Sequence, residues 1–160
     1  MAGAALKHLP IEKVVFMPTG NPRYRDAPHA SAADRVAMLK LALAGKPKFA
    51  IDERELAAGA TGYTVDSLKG FQGKVYFLMG ADQYAKLDTW RNPDEVRKLA
   101  ELVVFERPGV PLTGNVKTLP FDTMGDSGTE IRARAARGED FSRMVPDLVA
   151  EYIVRHKLYR

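Results

Sequence analysis

The stretch Val75-Tyr76-Phe77-Leu78-Met79-Gly80-Ala81-Asp82 decides the fold of this chain. Its first five residues form an apolar run that predicts a buried β-strand over 75–79, and Gly80 ends that strand. In an open parallel sheet, ligands bind beyond the carboxyl ends of the strands. We therefore expect a ligand near Gly80, which lets it approach the backbone, and near Asp82, whose carboxylate can accept hydrogen bonds from ribose hydroxyls. The alternative is an ordinary strand-to-helix turn that Asp82 caps.

Strand and helix signals alternate along the rest of the chain. Shorter apolar runs predict strands at 14–17, 49–51, 102–105 and 116–121. Capping residues and apolar spacing predict helices at 31–43, at 64–69, from Asn92 onward, at 127–137 and at 146–156. This alternation is typical of an α/β fold with a doubly wound parallel sheet. Because no long linker interrupts it, we expect one domain over residues 1–160.

Several of these helices have boundary signals of their own. The pair Ser31-x-x-Asp34 places a capping serine three residues before an acid, and Ser127-x-x-Glu130 has the spacing of a capping box. Asn92-Pro93 combines a common cap with proline at the first helical position. Gly138 stops the helix that begins at Ser127. These signals predict helix ends more sharply than apolar spacing alone.

The composition excludes several classes of protein. Of 160 residues, 46% are hydrophobic and 28% are charged, which is a globular balance. The 24 basic and 20 acidic residues give a net charge of +4 without a basic run, so we expect no nucleic-acid partner. No apolar run approaches the roughly 20 residues needed to span a bilayer, so we expect no membrane partner. The chain has no cysteine, which excludes disulfides and thiolate zinc sites and fits a cytoplasmic protein.

Two further motifs indicate nucleotide chemistry. Trp90 is the only tryptophan, and its indole offers a flat face for an aromatic ring, although packing on the core is the alternative. The run Ser127-Gly128-Thr129-Glu130-Ile131-Arg132 opens a helix. Helix N-termini bind phosphate, the two hydroxyls add donors, and Arg132 can fork onto a phosphate. A plain capped helix with a surface arginine is the alternative there.

Weaker signals lie in two loops. Thr64 and Val65 begin a short helix whose hydroxyl and N–H groups could bind a small carboxylate, unless Thr64 only caps it. Arg23 and Arg25 lie in a proline-rich loop and could reach phosphates, or simply be solvated. The three histidines have neither a second histidine nor a carboxylate at metal or acid–base spacing, so we predict no protein-held metal.

Taken together and in this order, the motifs resemble the nicotinate-nucleotide adenylyltransferases, which have a Rossmann-like nucleotidyltransferase fold. The resemblance extends over nearly all of the chain from Ile11 to Tyr159. Its most specific elements are the Tyr-Thr-x-Asp and Asp-Thr-Trp motifs. The matching segments are 15–22, 33–39, 63–68, 79–82, 87–90, 107–109, 127–132 and 145–159.

The resemblance implies a reaction and a role for each motif residue. The reaction is the transfer of AMP from ATP to nicotinate mononucleotide, which gives deamido-NAD and pyrophosphate, with Mg²⁺ accompanying ATP. On the pyridine-nucleotide side, Thr64 and Val65 would bind the nicotinate carboxylate through N–H groups, Trp90 would stack on the pyridine and Asp82 would hold a ribose. The residues assigned to ATP are Gly80, Arg107, Ser127, Thr129 and Arg132.

The chain also departs from the family pattern. The family begins with a strand, a Gly-x-Phe-Asp-Pro loop and a His-x-Gly-His motif whose histidines stabilise the transferring phosphate. No His-x-Gly-His motif occurs in this chain, and residues 2–9 resemble the end of the first helix. We therefore expect the first strand to be missing, the strands at Val14 and Val75 to lack a shared neighbour, and this 160-residue chain to be inactive. Arg23-Tyr24-Arg25 and Gly128 are smaller departures.

Other functions stay open at this point. A relative acting on nicotinamide mononucleotide shares most of the motifs, whereas Tyr63, Thr64 and Trp90 argue against phosphopantetheine as the substrate. A non-catalytic nucleotide-binding or interaction module would explain the absent His-x-Gly-His motif. We expect ATP and nicotinate mononucleotide as binding partners and leave homo-oligomer formation open.

Overall fold

The fold comes from a computed structural model that describes residues 1–20, 28–107, 109–120 and 127–160. The helices are α1 (Ala2–His8), α2 (Ala32–Leu43), α3 (Thr64–Leu68), α4 (Ala81–Tyr84), α5 (Pro93–Leu99), α6 (Gly128–Arg137) and α7 (Asp147–Arg155). The strands are β1 (Val14–Phe16), β2 (Phe49–Ile51), β3 (Tyr76–Gly80), β4 (Glu101–Phe105) and β5 (Lys117–Leu119). Short 3₁₀ turns cover Arg54–Leu56, Leu87–Thr89 and Ser142–Met144. The predicted alternation of strands and helices is confirmed.

The chain divides into two compact units. The first unit comprises Met1–Val14 and Ala58–Asp122, and the second comprises Val15–Ala57 and Thr123–Arg160. The prediction of one domain over the whole chain stays a prediction. Each unit has its own hydrophobic cluster.

The first unit is built on the parallel sheet β3-β4-β5. β3 and β4 are joined by α4, a 3₁₀ turn and α5, a crossover of the kind that parallel strands require. Met79 pairs with Val104 and Gly80 with Phe105, so the two strands end level with each other. Val104 and Phe105 are at most 1% exposed, since helices cover the sheet. Buried Val65, Leu87 and Val96 complete this core.

The second unit pairs β1 with β2 and packs α2 against α7. The Phe16 and Phe49 rings lie 5.9 Å apart across the β1–β2 pair. A hydrophobic cluster around Phe141 and Ile153 holds α6 and α7 together. Among the described residues, the ladders join β1 to β2, β3 to β4 and β4 to β5.

A hydrogen bond between side chains also connects α2 to α7. The Ser31 hydroxyl donates to the Asp34 carboxylate over 2.6 Å, and the Tyr152 hydroxyl donates to the same carboxylate over 3.0 Å. These two hydrogen bonds lower the pKa of Asp34, because both favour its ionised form. Ser31 also accepts from the Asp34 N–H over 3.1 Å, so the predicted cap of α2 is confirmed.

Gly20 lies close against the backbone of the Arg54–Leu56 turn in the second unit. A Cβ at this position would lie only 2.2 Å from the Glu55 carbonyl oxygen, a distance that no side chain tolerates. On the same segment, the Thr19 carbonyl accepts a hydrogen bond from Arg35 Nη1 over 2.7 Å. Glycine is therefore required here because two backbone segments touch.

Two of the predicted capping interactions are wrong in detail. Asn92 precedes α5 as expected, but its φ of 50° is left-handed and its side chain makes no cap hydrogen bond. Proline at position 93 disfavours the right-handed helical region for the preceding residue, and asparagine tolerates the left-handed one. At α6, Ser127 accepts from the Glu130 N–H over 3.1 Å, whereas the Glu130 carboxylate pairs with Arg134 instead of closing a capping box.

Candidate functional site

Gly80 and Asp82 occupy the carboxyl end of β3, as the sequence predicts. Gly80 is the last residue of the strand and the N-cap of α4, and Asp82 lies inside the first turn of that helix without a side-chain cap bond. The alternative role of Asp82 as a capping residue is therefore wrong. A Cβ at position 80 would lie 2.8 Å from Asp82 Oδ1, so the glycine leaves room for this carboxylate.

Arg107 follows the end of the neighbouring strand β4 and reaches Asp82. Its Nη1 lies 3.8 Å from Asp82 Oδ1, and the two side chains are 55% and 44% exposed. Since β3 and β4 end level, the residues that follow them meet at one edge of the sheet. The structure thus brings together two of the predicted site residues in the first unit, Asp82 and Arg107, and keeps both open to a ligand.

Trp90 is half-buried and packs on the core. Its indole meets the Phe77 ring edge-on, with centroids 6.1 Å apart and planes at 73°. It also lies against the buried cluster that contains Leu87 and Val96. The alternative, that Trp90 packs on the core, is therefore correct. Packing of this kind also fixes the ring, which a stacking surface for a planar ligand requires.

Thr64 and Val65 form the first turn of α3. The Val65 side chain is 1% exposed, so only its backbone can face a ligand. The Asp66 and Ser67 N–H groups donate to the Tyr63 carbonyl. The N–H groups of Thr64 and Val65 come first in the helix, where no intrahelical acceptor is available. The backbone donors of Thr64 and Val65 are thus suited to a small anion.

Arg91 joins the Thr64 segment to the Trp90 segment, and the sequence analysis missed it. Its guanidinium carbon lies 4.7 Å from the centroid of the Tyr63 ring, which is cation–π distance. Tyr63 is the chain neighbour of Thr64, and Arg91 is the chain neighbour of Trp90. The position of Arg91 directly after the only tryptophan was the available signal, but nothing in the sequence pairs it with Tyr63.

The second unit places Ser127, Thr129 and Arg132 together at the start of α6. Ser127 caps the helix, and Arg132 Nη2 donates to the Thr129 hydroxyl over 3.2 Å. A Cβ at Gly128 would lie 3.2 Å from Arg132 Nη1, so a larger residue would crowd the guanidinium. Positions 127–129 are exposed, and Arg132 is half-buried. An exposed helix N-terminus with an adjacent arginine is suited to a phosphate.

Some predicted site residues cannot be placed. Arg23 and Arg25 lie outside the described residues, as does Pro108 beside Arg107. Trp90 belongs to the first unit and Ser127 to the second, so a common pocket for the pyridine ring and the phosphates stays a prediction. Across the described ranges, no group of three or more His, Asp or Glu side chains could hold a metal ion. The helices in those ranges are all too short or too polar to cross a membrane.

Comparisons with known proteins show the family of this chain. The profile of the cytidylyltransferase-like family matches residues 1–134. A probable nicotinate-nucleotide adenylyltransferase of Bordetella petrii is 35% identical over 175 residues, covering 100% of this chain and 90% of the relative. One from Laribacter hongkongensis is 36% identical, with 100% and 86% covered. The fold is similar to that of Plasmodium falciparum nicotinic acid mononucleotide adenylyltransferase complexed with NaAD, with a TM-score of 0.79 at 15% identity, covering 98% of this chain and 87% of that one.

Proposed function

Because the chain belongs to the nicotinate-nucleotide adenylyltransferases of the cytidylyltransferase-like family, we propose that its reaction is the transfer of AMP from ATP to nicotinate mononucleotide. The products are deamido-NAD and pyrophosphate. The observation that carries the proposal is the identity of 35% along the whole chain to a relative of which 90% is covered. The residues at the carboxyl edge of the β3-β4-β5 sheet support it.

The pyridine end of nicotinate mononucleotide would bind between α3 and the Trp90 segment. The N–H groups of Thr64 and Val65 would donate to the nicotinate carboxylate, since the first turn of a helix leaves these donors unpaired. Trp90, held by Phe77, would stack on the pyridine ring. A fixed indole adds affinity because little side-chain freedom is lost when the ligand arrives.

Ribose and adenine contacts would come from the residues after β3 and β4. Asp82 would accept hydrogen bonds from the hydroxyls of a ribose, and Gly80 would let the nucleotide approach the backbone at the end of the strand. Arg107, 3.8 Å from Asp82, would line the adenine side.

The phosphates of ATP would bind at the start of α6. Ser127 and Thr129 offer hydroxyls, the helix N-terminus offers N–H groups, and Arg132 offers a planar pair of donors. Arg23 and Arg25 remain proposed phosphate contacts. These positive groups would stabilise negative charge on the triphosphate as pyrophosphate leaves.

In the transfer step, a 5′-phosphate oxygen of nicotinate mononucleotide attacks the α-phosphorus of ATP. The bond from the α-phosphorus to the bridging oxygen breaks, and pyrophosphate leaves with that electron pair. Phosphoryl transfer of this type depends mainly on positioning and on neutralising charge. Mg²⁺ would accompany ATP as the counterion of its phosphates.

The competing hypothesis is an interaction module that binds no nucleotide, and calorimetry separates the two. We expect saturable heat when ATP and nicotinate mononucleotide are titrated separately into the protein. Arg132→Gln should lower the affinity for ATP about tenfold, because a charge-assisted hydrogen bond contributes on that order. The affinity for nicotinate mononucleotide should stay unchanged. Arg155→Gln, an exposed arginine of α7, is the charge-matched control. If neither ATP nor nicotinate mononucleotide gave saturable heat, the proposal would be excluded.

A further inference from the structure

The segment between β4 and β5, residues 106–116, is contacted by α4 at two points. Near its start, Arg107 Nη1 lies 3.8 Å from Asp82 Oδ1. Further along, the Thr113 carbonyl accepts a hydrogen bond from the Tyr84 hydroxyl over 3.2 Å. Asp82 and Tyr84 both belong to α4, so one short helix holds two parts of the segment, which the structure describes except at position 108.

A turn and apolar packing restrain the chain between these two points. The Val110 N–H donates to the Arg107 carbonyl over 3.2 Å. The Val110 and Leu112 side chains pack against the buried cluster that contains Val96. Because only a short, restrained length of chain separates residue 113 from Arg107, a contact that fixes the first also limits where the second can lie.

The hydroxyl of Tyr84 has no part in the core. The Tyr84 ring packs against the same buried cluster, and a phenylalanine ring has nearly the same volume and shape. The hydroxyl adds a hydrogen bond to the Thr113 carbonyl, at an exposed residue outside that cluster. Its effect is therefore expected in the position of the segment between β4 and β5 more than in the packing of the core.

We propose that Tyr84 is a positioning residue for ATP, whose hydroxyl holds the segment between β4 and β5 and so keeps Arg107 beside Asp82. The inference rests on the proposed function, because it takes Arg107 as the residue that lines the adenine side. A segment that is already held in place loses less conformational freedom when the ligand binds. Loss of the hydroxyl should therefore lower the affinity for ATP through Arg107.

A double-mutant cycle in calorimetric titrations with ATP tests this dependence. Tyr84→Phe keeps the ring and should lower the affinity about fivefold, as for one lost hydrogen bond between neutral groups. Arg107→Gln should also lower the affinity. The double variant should bind ATP like Arg107→Gln alone, because the residue that Tyr84 positions is then already lost. A purely structural role for the hydroxyl would instead make the two losses additive.

Two further variants are the matched controls for Tyr84→Phe. Thr113→Val removes a side-chain hydroxyl but keeps the backbone carbonyl that accepts the hydrogen bond, so it should bind ATP like wild type. Tyr76→Phe makes the same exchange at the first residue of β3, at the other end of the strand from Gly80, and should also bind like wild type.

Two results would overturn the inference and leave the proposed function intact. One is an equal affinity for ATP in wild type and Tyr84→Phe. The other is an additive loss in the double variant, which would show that Tyr84 does not act through Arg107. Failure of the wild-type chain to bind ATP at all would instead contradict the proposed function.

Discussion

Arg107 Nη1 lies 3.8 Å from Asp82 Oδ1 at the carboxyl edge of the β3-β4-β5 sheet. Both side chains are about half exposed, so the ion pair contributes little to the stability of the fold. A ribose hydroxyl bound to Asp82 would compete with Arg107 for the same carboxylate. We therefore expect this contact to affect ligand binding more than the stability of the fold.

Asp82→Asn should weaken the binding of nicotinate mononucleotide about tenfold, because a hydrogen bond to a charged acceptor is exchanged for one to a neutral amide. The melting temperature should stay close to that of the wild-type chain. Calorimetry and thermal unfolding measure the two effects. Asp147→Asn, which removes an exposed carboxylate in α7, is the control. Equal affinities for wild type and Asp82→Asn would remove Asp82 from the proposed site.

Ser127 caps α6 and is also proposed to bind phosphate, and substitution can separate the two roles. Its hydroxyl accepts from the Glu130 N–H over 3.1 Å, so Ser127→Ala should cost about 1 kcal/mol of stability as a lost helix cap. Ser127→Asp keeps the cap but places a negative charge where phosphate is proposed to bind. We expect Ser127→Asp to unfold like wild type and to bind ATP at least tenfold more weakly, as for the loss of a charge-assisted contact.

The control for Ser127→Asp is Ser127→Asn, which keeps a capping oxygen but adds no charge. It should weaken ATP binding far less than Ser127→Asp does. Undiminished ATP binding by Ser127→Asp would show that the start of α6 holds no phosphate.

Tyr152 should contribute stability that depends on pH. The Ser31 and Tyr152 hydrogen bonds lower the pKa of Asp34, so the ionised carboxylate stabilises the fold above its ordinary value of 3.8 and this contribution is lost as the pH falls through the lowered pKa. Tyr152→Phe should therefore lower the melting temperature at neutral pH, and the difference from wild type should narrow as the pH falls below 3.8.

Tyr84→Phe serves as the comparison for Tyr152→Phe. The Tyr84 hydroxyl donates to the neutral Thr113 carbonyl over 3.2 Å, so its loss should cost the same at each pH. A pH-independent difference for Tyr152→Phe would contradict the linkage to Asp34.

Gly20→Ala should destabilise the chain by about 1–3 kcal/mol, as overpacking does, because its Cβ would lie 2.2 Å from the Glu55 carbonyl oxygen. Chemical denaturation measures the free energy of unfolding. Gly3→Ala is the matched control, since nothing lies within 4 Å of a Cβ in its α1 position and alanine favours a helix. Equal stabilities of the two variants would contradict the close approach at Gly20.

The elements that were predictable from sequence are those that local chemistry determines. Ser31 caps α2, and Gly138 ends α6 at a φ of 71°, because capping hydrogen bonds and left-handed backbone depend on adjacent residues. The apolar runs gave β3 and β4 to within one residue. Asn92 failed as a side-chain cap because its backbone is left-handed, whereas a capping residue is normally extended, and residue preference alone does not predict that conformation.

Contacts between distant segments could not be predicted in the same way. The Arg91–Tyr63 and Arg107–Asp82 pairs join residues about 25 or more positions apart, and no spacing rule relates them. Parallel strand ends explain why residues after β3 and β4 meet, but not which side chains touch. The assignments of Thr64, Trp90 and Ser127 came from motif resemblance, and their ligand contacts remain proposals.

The central claim is that the indole of residue 90 receives the pyridine ring, and its fluorescence tests this most directly. Trp90 is the only tryptophan, so all indole emission reports on one site. Titration with nicotinate mononucleotide should quench this emission to a plateau at the affinity found by calorimetry, whereas ribose 5-phosphate should leave it unchanged. Emission that stays constant while calorimetry shows nicotinate mononucleotide binding would contradict the account.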